Sequence, residues 1–425
     1  MYPIVALTSF LFLLLLTIPI AMSLGLAAFV PGWLGAPINS SQVIRTIVTA
    51  IDSFPLLAVP LFMVAGDIMT QGGLARRLFS FADALLGRLN GGLAISTVVA
   101  CMLFGAISGS SPATVAAIGA MAIPLLVDNG YDKRFATVLV TTAGTLGVIV
   151  PPSIPMIIYG MAANVSVSRL FMAGIGPALT IGFLLSAWAF WYGTKHKDKI
   201  KTTAGKIPLI QATCQSFWAL LAPVVVLGGI YSGAFTPTEA AAIAVAYSAV
   251  ISIFVFREMT FMQLINTVGR TALTVAPILI IAGTGAALGR VFNLLRVPVM
   301  LGDIINSVVS DPIMLLLLIN FMLLLIGMFM ETLAAIIVLT PIFLPIVSPY
   351  GIDPLHFGLI MTTNLAIGFV TPPVGANIFI ATGLTKLSVV EICKGLPVPL
   401  FLLILGLAAI TYIPSLSLWL PNAFG

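Results

Sequence analysis

Apolar runs long enough to cross a bilayer recur along the whole chain, for example at residues 7–30, 171–192 and 396–413. A helix of about 20 apolar residues spans a hydrocarbon core of roughly 30 Å. Of the 425 residues, 60% are hydrophobic and 7% are charged, which is far from the composition of a soluble domain. The pattern predicts an all-α polytopic membrane protein whose first run forms a span near residues 4–30, not a cleaved secretory signal.

One apolar stretch is interrupted in its middle by the sequence SGSSP, residues 108–112. The pieces on either side, residues 93–107 and 113–127, have only about 15 residues each, which is short for a crossing. Irregular backbone at membrane depth is tolerated where protein buries it or where it lines a cavity. We therefore expect a re-entrant hairpin whose tip offers oxygen atoms to a cation and helix N-terminal N–H groups to an anion. The alternative is a continuous helix in which each serine bonds back to the carbonyl four residues earlier.

The two halves of the chain repeat one pattern. A shift of 221 residues superposes Pro124 on Pro345, Gly130 on Gly351, Asp132 on Asp353, Thr141-Thr142 on Thr362-Thr363, Gly147 on Gly368 and Pro151-Pro152 on Pro372-Pro373. Transporters are often built from such duplicated units. Five spans separate equivalent points, near residues 46–70, 133–163, 168–192, 217–233 and 238–256. Because five is odd, the second copy is predicted to be inverted, with its own hairpin at about residues 313–347.

Basic residues follow the same scheme. Residues 71–92, 128–134, 194–216, 257–270 and 384–395 hold 14 of the 18 Lys and Arg residues, and the scheme places these segments on one side. The positive-inside rule makes that side cytoplasmic, so the first hairpin enters from the cytoplasm and its copy from the periplasm. The other four, Arg45, Arg169, Arg290 and Arg296, fall on the opposite side.

The predicted organisation has two copies joined by a linker. The first copy covers residues 1–194, with scaffold helices at about 1–92 and transport elements at about 93–163. A basic cytoplasmic linker follows at residues 195–216. The second, inverted copy covers residues 217–425, with scaffold helices at about 217–300 and transport elements at about 313–383.

Each copy also carries a Pro-Pro pair inside a predicted span, in GTLGVIVPPSIP at residues 144–155 and in AIGFVTPPVGAN at residues 366–377. Proline removes a backbone donor and clashes with the preceding turn, so the helix breaks there. A simple proline kink is the alternative. Broken helices at matching positions of two copies indicate a binding site at mid-membrane. Each tip and broken helix would then form a cage of neutral oxygens for Na⁺, giving two cages.

The second tip, GMFMETLA at residues 327–334, lacks the serine cluster and contains Glu331. An ionisable residue at membrane depth is a functional candidate. Capping of the following helix by the same carboxylate is an equally good interpretation.

Other function classes find no support in the sequence. The net charge of +5 is explained by cytoplasmic Lys and Arg, so no nucleic-acid partner is expected. Cys101, Cys214 and Cys393 are scattered in apolar segments and are interpreted as small core residues. Since there is no phosphate-binding loop, zinc-ligand spacing or protease dyad, no catalytic residue is predicted and the chain is not expected to be an enzyme. Energy must come from an ion gradient or another subunit.

Several longer motifs stand in a characteristic order: SGSSPATVAAIG, GYDKRFA, VPPSIPMIIYG, FTPTEAAA, METLAAIIVLTPIFLPI and GFVTPPVGANIF. Over essentially its full length the sequence resembles the large membrane (M, DctM-like) subunit of tripartite ATP-independent periplasmic (TRAP) transporters. The resemblance implies an elevator-type transporter of the bacterial inner membrane that imports an organic acid with Na⁺. Sialic acid and C4-dicarboxylates are both open as substrates, with a slight preference for sialic acid.

The resemblance also implies roles for individual residues. One Na⁺ site would use Ser108, Ser110 or Ser111 with Gly147, Val150 and Ser153, and the second would use Gly327, Gly368, Thr371 and Val374. The substrate carboxylate would lie between the tips, with Ser111, Thr114, Thr332 and Asn377 as candidates and Glu331 nearby.

Two protein partners are implied as well. A soluble periplasmic binding protein would deliver the substrate, and a small membrane subunit of about four helices would pack, within the lipid, on an apolar face of the scaffold spans near residues 4–30, 46–70, 217–256 and 271–290. Since the chain shows no four-helix extension, we expect that subunit as a separate chain. Two alternatives stay open: an Na⁺/dicarboxylate symporter or ion antiporter that needs no binding protein, and a membrane scaffold that transports nothing.

Overall fold

A computed structural model describes residues 2–201, 208–309 and 311–424, apart from the side chains of residues 306–308. Within these ranges all regular elements are helices. The first half contains α1 Tyr2–Leu15, α2 Ile20–Trp33, α3 Ser40–Ile51, α4 Ala58–Gln71, α5 Leu74–Leu86, α6 Gly92–Ser108, α7 Ser111–Asp128, α8 Lys133–Ala143, α9 Leu146–Ile149, α10 Ile154–Ala163 and α11 Val167–Lys195. The second half contains α12 Leu209–Tyr231, α13 Pro237–Val250, α14 Phe261–Leu294, α15 Val297–Val308, α16 Pro312–Gly327, α17 Thr332–Val347, α18 Pro354–Gly368, α19 Ala376–Thr385, α20 Val389–Cys393, α21 Pro397–Tyr412 and α22 Ser415–Phe424.

The structure confirms a polytopic all-α membrane protein. Seven helices of the described ranges are long and apolar enough to cross a membrane, or up to nine if each of two bent pairs counts as one span. Several predicted limits move: the span at 217–233 begins at Leu209, and the span at 271–290 lies inside the 34-residue α14.

Near the N-terminus one predicted span is wrong and another is too long. Residues 4–30 form the short helices α1 and α2, with Thr17 in a left-handed conformation between them and Pro19 preceding α2. The span predicted at residues 46–70 begins later: the 3₁₀ turn at Phe54–Leu57 continues into α4, and Phe54–Gln71 is long and apolar enough to cross, whereas residues 46–51 belong to α3. Proline disfavours a helical conformation in the residue before it, and Pro19 and Pro55 interrupt runs that look continuous by hydropathy.

The SGSSP stretch separates two helices, as predicted. The arms α6 and α7 have 17 and 18 residues, so the expected arm length of about 15 was too short and length alone does not exclude a crossing. Their outer ends meet instead: Gly91, Gly92 and Leu93 before and in α6 line one small cavity together with Tyr131, which follows α7. The two arms therefore form a helical hairpin.

The second hairpin has the same form. Its arms are α16 and α17, and residues 328–331 separate them. The Tyr350 hydroxyl, just after α17, donates a hydrogen bond of 2.8 Å to the carbonyl of Val309, just before α16. The outer ends of this hairpin therefore also lie side by side.

The two broken helices run antiparallel. Tyr159 near the end of α10 donates a 2.7 Å hydrogen bond to the Pro354 carbonyl at the start of α18. At the other end, Gly395 beyond α20 packs on α8, where a Cβ would lie 2.8 Å from Val138 Cγ2 and 3.3 Å from Arg134 Cγ. The second copy is therefore inverted relative to the first, as the repeat and the span count predict.

The five basic segments form one surface of the protein, here called the basic face. Arg76 and Arg77 pair with Glu258 at 2.6 and 2.8 Å, and Ser216 donates to the Arg77 carbonyl at 2.8 Å. Lys201 N–H donates to the Asn129 carbonyl at 3.0 Å, and Gly395 touches Arg134. All five segments are thus linked, although residues 202–207 of the linker lie outside the described residues. The copy boundaries stay a prediction.

Two apolar cores hold the helices together, and each takes elements from both copies. Ile118 and Val140 of the first copy share one core with Ile378 of the second. Ile157 of the first copy shares the other with Ile336 of the second. Cys101 is buried, but Cys214 is exposed on α12, so the interpretation of all three cysteines as core residues was wrong for Cys214.

Candidate functional site

The first hairpin tip is built from small polar residues. Gly109, with φ +57°, ends α6, and Ser110 caps α7 by accepting a 3.4 Å hydrogen bond from Ala113 N–H. The hydroxyls of Ser108 and Thr114 lie 3.2 Å apart, and Thr114 Oγ1 donates to the Ser110 carbonyl at 2.8 Å. Ser108, Ser111 and Thr114 are all buried. The hydroxyls of Ser108 and Ser110 therefore make contacts within the tip, and residues 93–127 do not form the single continuous helix of the alternative interpretation.

The first broken helix packs directly on this tip. A Cβ on Gly147 would touch Thr114 Oγ1 and lie 2.5 Å from the Ser110 carbonyl oxygen, so only glycine fits there. Ile154 N–H donates to the Gly109 carbonyl at 3.4 Å. Ser153 caps α10 and donates to the Val148 carbonyl at 2.6 Å.

Most residues predicted for the first Na⁺ site therefore lie close together in the structure. Ser108, Ser110 and Gly147 surround one junction. Val150 and Ser153 lie in the adjoining turn, where the piece formed by α8 and α9 meets α10 at a bend of 41°. Serine hydroxyls and main-chain carbonyls are hard oxygen donors, which suit Na⁺.

The second copy repeats the junction with fewer side chains. A Cβ on Gly368 would touch the Gly327 carbonyl oxygen and lie 2.8 Å from Gly327 Cα. Thr332 Oγ1 donates to the Leu365 carbonyl at 3.5 Å, which ties the second tip to its broken helix. Thr371 donates back to the Ile367 carbonyl at 2.8 Å, and the Val374 side chain is 45% exposed. Any cation here would depend on main-chain oxygens.

Glu331 takes the capping role that the sequence left open. Its Oε2 accepts hydrogen bonds from Leu333 N–H at 2.9 Å and Ala334 N–H at 3.1 Å, at the start of α17. The side chain is exposed on the surface of the chain. The carboxylate also complements the positive end of the helix dipole.

Asn377 links the two copies. Its Nδ2 donates to Ser111 Oγ at 2.8 Å and to the Thr141 carbonyl at 3.1 Å. Its Oδ1 is buried and has no hydrogen-bond partner. Ser111 is therefore engaged by the second copy, while Asn377 keeps one free acceptor between the copies.

Sequence reasoning missed two features of this region. Gly105 packs on Gly147, where a Cβ would lie 2.8 Å from Gly147 Cα. A buried polar network also joins three helices: Asn364 Nδ2 donates to Asn320 Oδ1 at 2.8 Å, Asn320 Nδ2 donates to Thr411 Oγ1 at 3.1 Å, and His356 Nε2 lies 3.1 Å from the Thr411 carbonyl. Two asparagines and a histidine inside apolar runs were the available signal.

In the part of the chain that the structure describes, no three His, Cys, Asp or Glu side chains come together as a metal site. A cation at either junction would thus be held by hydroxyl and carbonyl oxygens.

Comparison with known protein families identifies the family to which the chain belongs. The family model described as "Tripartite ATP-independent periplasmic transporter, DctM component" matches residues 7–416. The chain belongs to this family. Members of this family are membrane transporters and not enzymes. With at least seven apolar helices in its described part, this chain lies in the bacterial inner membrane.

Relatives agree with the assignment. This chain is 44% identical over 413 residues to the isethionate TRAP transporter permease protein DctMQ of Oleidesulfovibrio alaskensis, and it covers 65% of that protein's length. It is 40% identical to the C4-dicarboxylate TRAP transporter large permease protein DctM of Pseudomonas aeruginosa, with 95% of this chain and 94% of the relative covered. It is 38% identical to the ectoine/5-hydroxyectoine TRAP transporter large permease protein UehC of Ruegeria pomeroyi, with 96% of each covered.

Solved structures share the fold at low sequence identity. The Alcanivorax borkumensis YdaH transporter matches with a TM-score of 0.67 at 17% identity, over 100% of this chain and 99% of that chain. Neisseria gonorrhoeae MtrF matches with a TM-score of 0.65 at 15% identity, over 95% and 94%. This chain therefore shares its fold with both solved structures.

Proposed function

We propose that this permease imports an organic acid together with Na⁺, after a periplasmic binding protein has delivered the acid. The observation that carries the proposal is the pair of junctions at Gly147 and Gly368, where a hairpin tip meets a broken helix in each inverted copy. Helix ends leave carbonyl and N–H groups without intrahelical partners, and these groups bind ions where water is excluded.

For the cations, the proposed first site consists of Ser108, Ser110, Gly147, Val150 and Ser153. The proposed second site consists of Gly327, Gly368, Thr371 and Val374, chiefly through carbonyl oxygens. Both sets lie at a junction or in the turn that follows it. We propose two Na⁺ sites on this basis.

For the substrate, the proposed position is between the copies, near Thr114, Thr332 and the Ser111–Asn377 pair. The unpartnered Asn377 Oδ1 supports this position, because a buried polar atom without a partner is expected to meet a ligand or water. The relatives reported above are named for isethionate, C4-dicarboxylates and ectoine. These compounds share an acidic group, so we propose an organic acid; the earlier preference for sialic acid gains nothing from these names.

For the mechanism, we propose an elevator, in which re-entrant hairpins and broken helices move together against the scaffold helices. The partners are a periplasmic binding protein and a small membrane subunit. About a third of the DctMQ relative lies outside its match to this chain, which is room for such a subunit within one polypeptide. Here we propose that the subunit is a separate chain that packs on the exposed apolar surfaces of α12 and α14.

Reconstituted uptake tests the proposal. Liposomes containing the permease with its small subunit are supplied with labelled succinate or isethionate, candidate binding proteins, and an inward gradient of Na⁺ or of K⁺. We expect uptake only with a binding protein and Na⁺. Equal uptake in K⁺ would refute Na⁺ coupling, and uptake without any binding protein would establish an autonomous symporter. Absence of uptake after alanine substitution of Ser108, Ser110 and Thr371 ties transport to the junctions, whereas unchanged uptake would contradict the cation sites.

A further inference from the structure

A second polar site lies away from both junctions, in a cleft of about 670 Å³ between α14 and the elements α10 and α17. Apolar side chains such as Ile158, Met161 and Ile337 form much of its wall. Its polar side chains are Ser53, Arg290 and Asn293, and no carboxylate lines it. We call it the outer cleft.

The three polar side chains of the outer cleft lack partners. Ser53 Oγ is buried without a hydrogen bond, and within the described ranges the side chains of Arg290 and Asn293 form neither a hydrogen bond nor a salt bridge. Arg290 and Asn293 are exposed. A guanidinium, an amide and a hydroxyl that face one cleft offer several donors to an anion.

The outer cleft opens away from the basic face. Arg270 lies near the basic-face end of α14, where its guanidinium bonds to Gln71 at 3.0 Å. Arg290 follows twenty residues later in the same helix, which at 1.5 Å per residue is about 30 Å further along its axis. This distance matches the hydrocarbon thickness, so Arg290 stands at the surface opposite the basic face, which the positive-inside rule makes periplasmic.

We propose that the outer cleft binds the acidic group of the organic acid on the periplasmic side, before the acid reaches the hairpin tips. This inference rests on the proposed function. Arg290 holds the carboxylate or sulfonate by two parallel N–H···O bonds, while Asn293 and Ser53 supply further donors. Because the cleft is walled by α14 on one side and by α10 and α17 on the other, an acid bound there contacts both the scaffold and the transport elements.

Cysteine protection tests binding in the outer cleft directly. Ala162 is an exposed residue of the cleft wall, so A162C is made in the full transporter complex with C214S and C393S, leaving the buried Cys101. Labelling by a membrane-impermeant maleimide is followed with succinate, isethionate or, as a neutral control, succinamide. We expect both anions, and not succinamide, to slow labelling.

The matched variants are R290Q, which removes the proposed ligand, and R169Q, which removes an equal charge from another exposed arginine on the same side. Loss of a charge-assisted bidentate contact should weaken protection about tenfold or more in R290Q and leave R169Q unchanged. Equal protection in both variants, or no protection in the parent, overturns the inference even where uptake proceeds normally. Failure of the proposed function is seen separately, as absence of Na⁺-driven uptake in the parent complex.

Discussion

Replacement of Gly147 by alanine probes the first junction with a single carbon atom. The new Cβ would lie 2.5 Å from the Ser110 carbonyl oxygen, where ordinary contacts begin at 3.4 Å, and it would also strike Thr114 Oγ1. The Ser110 carbonyl is main chain at a capped helix start, so it cannot rotate away as a side chain could. The tip must shift by about 0.9 Å, and overpacking of this kind costs about 1–3 kcal/mol.

That displacement separates the two halves of the proposed first cation site. If the whole strain is felt when Na⁺ binds, Na⁺ affinity falls about fivefold to a hundredfold. The assay is the Na⁺ concentration that gives half of the rise in unfolding temperature of the purified permease, measured against K⁺ at constant ionic strength. The same variant should require correspondingly more Na⁺ for half-maximal uptake.

Gly383 provides the matched control, because a Cβ there meets nothing within 4 Å. Gly383 is also a helical glycine of a broken helix, so G383A should raise stability by about 0.4–1 kcal/mol and leave the Na⁺ response unchanged. A folded G147A permease with the half-saturating Na⁺ concentration of the parent would refute the reasoning.

Three further outcomes are expected. N377D keeps the size of Asn377 but removes its N–H donors, so uptake should fall about fivefold to a hundredfold, for a cost of about 1–3 kcal/mol for the unpaired groups, measured as initial uptake rate. Asn320 and Asn364 share a hydrogen bond, so N320L and N364L should each lower the free energy of unfolding by about 1 kcal/mol, and the double variant should lose less than the sum, measured by thermal unfolding. The Ser388 hydroxyl donates to the Glu391 carboxylate at 2.7 Å and so lowers the pKa of that carboxyl below its usual value of 4.5. The resulting stabilisation is present above pH 4.5 and is lost as the pH falls below it. S388A should therefore make the unfolding temperature less sensitive to acid.

Each outcome has its own contradiction. An N266D variant, at an exposed position of α14, should transport normally. If N266D lost as much uptake as N377D, the specific role of Asn377 would be contradicted. Strictly additive effects of N320L and N364L would contradict a shared network. An identical pH response of S388A and the parent would show that the cap at α20 contributes nothing to acid stability.

Local chemistry explains which parts of the fold the sequence could predict. The breaks at residues 108–112 and at both Pro-Pro pairs were predictable, because serine or threonine, glycine and proline stand close together there, whereas single prolines such as Pro124 and Pro177 stay inside helices. The division of residues 4–30 was missed although Pro19 marks it, since hydropathy averaged over a long run conceals a single proline. Inversion of the copies followed from counting spans and needed no knowledge of packing.

The site was predictable only in part. Glycine at 147 and at 368 repeats across the copies, which indicated a shared role but not the contacts with Ser110 and with Gly327. The bond between Asn377 and Ser111 joins residues 266 positions apart. Such a pairing depends on how two inverted copies pack, and no local pattern contains that information. Arg290 was visible in the sequence only as a charge on the less basic side.

The amide of Asn377 makes each half of the polypeptide dependent on the other. A fragment that ended in the linker would leave Ser111 Oγ and the Thr141 carbonyl without their donor, and the complementary fragment would leave Asn377 Nδ2 without acceptors. Each fragment alone would leave buried polar groups without partners, so both antiparallel copies are needed for a complete fold. Substitutions at Asn377 are therefore constrained by Ser111 and Thr141 in the other copy.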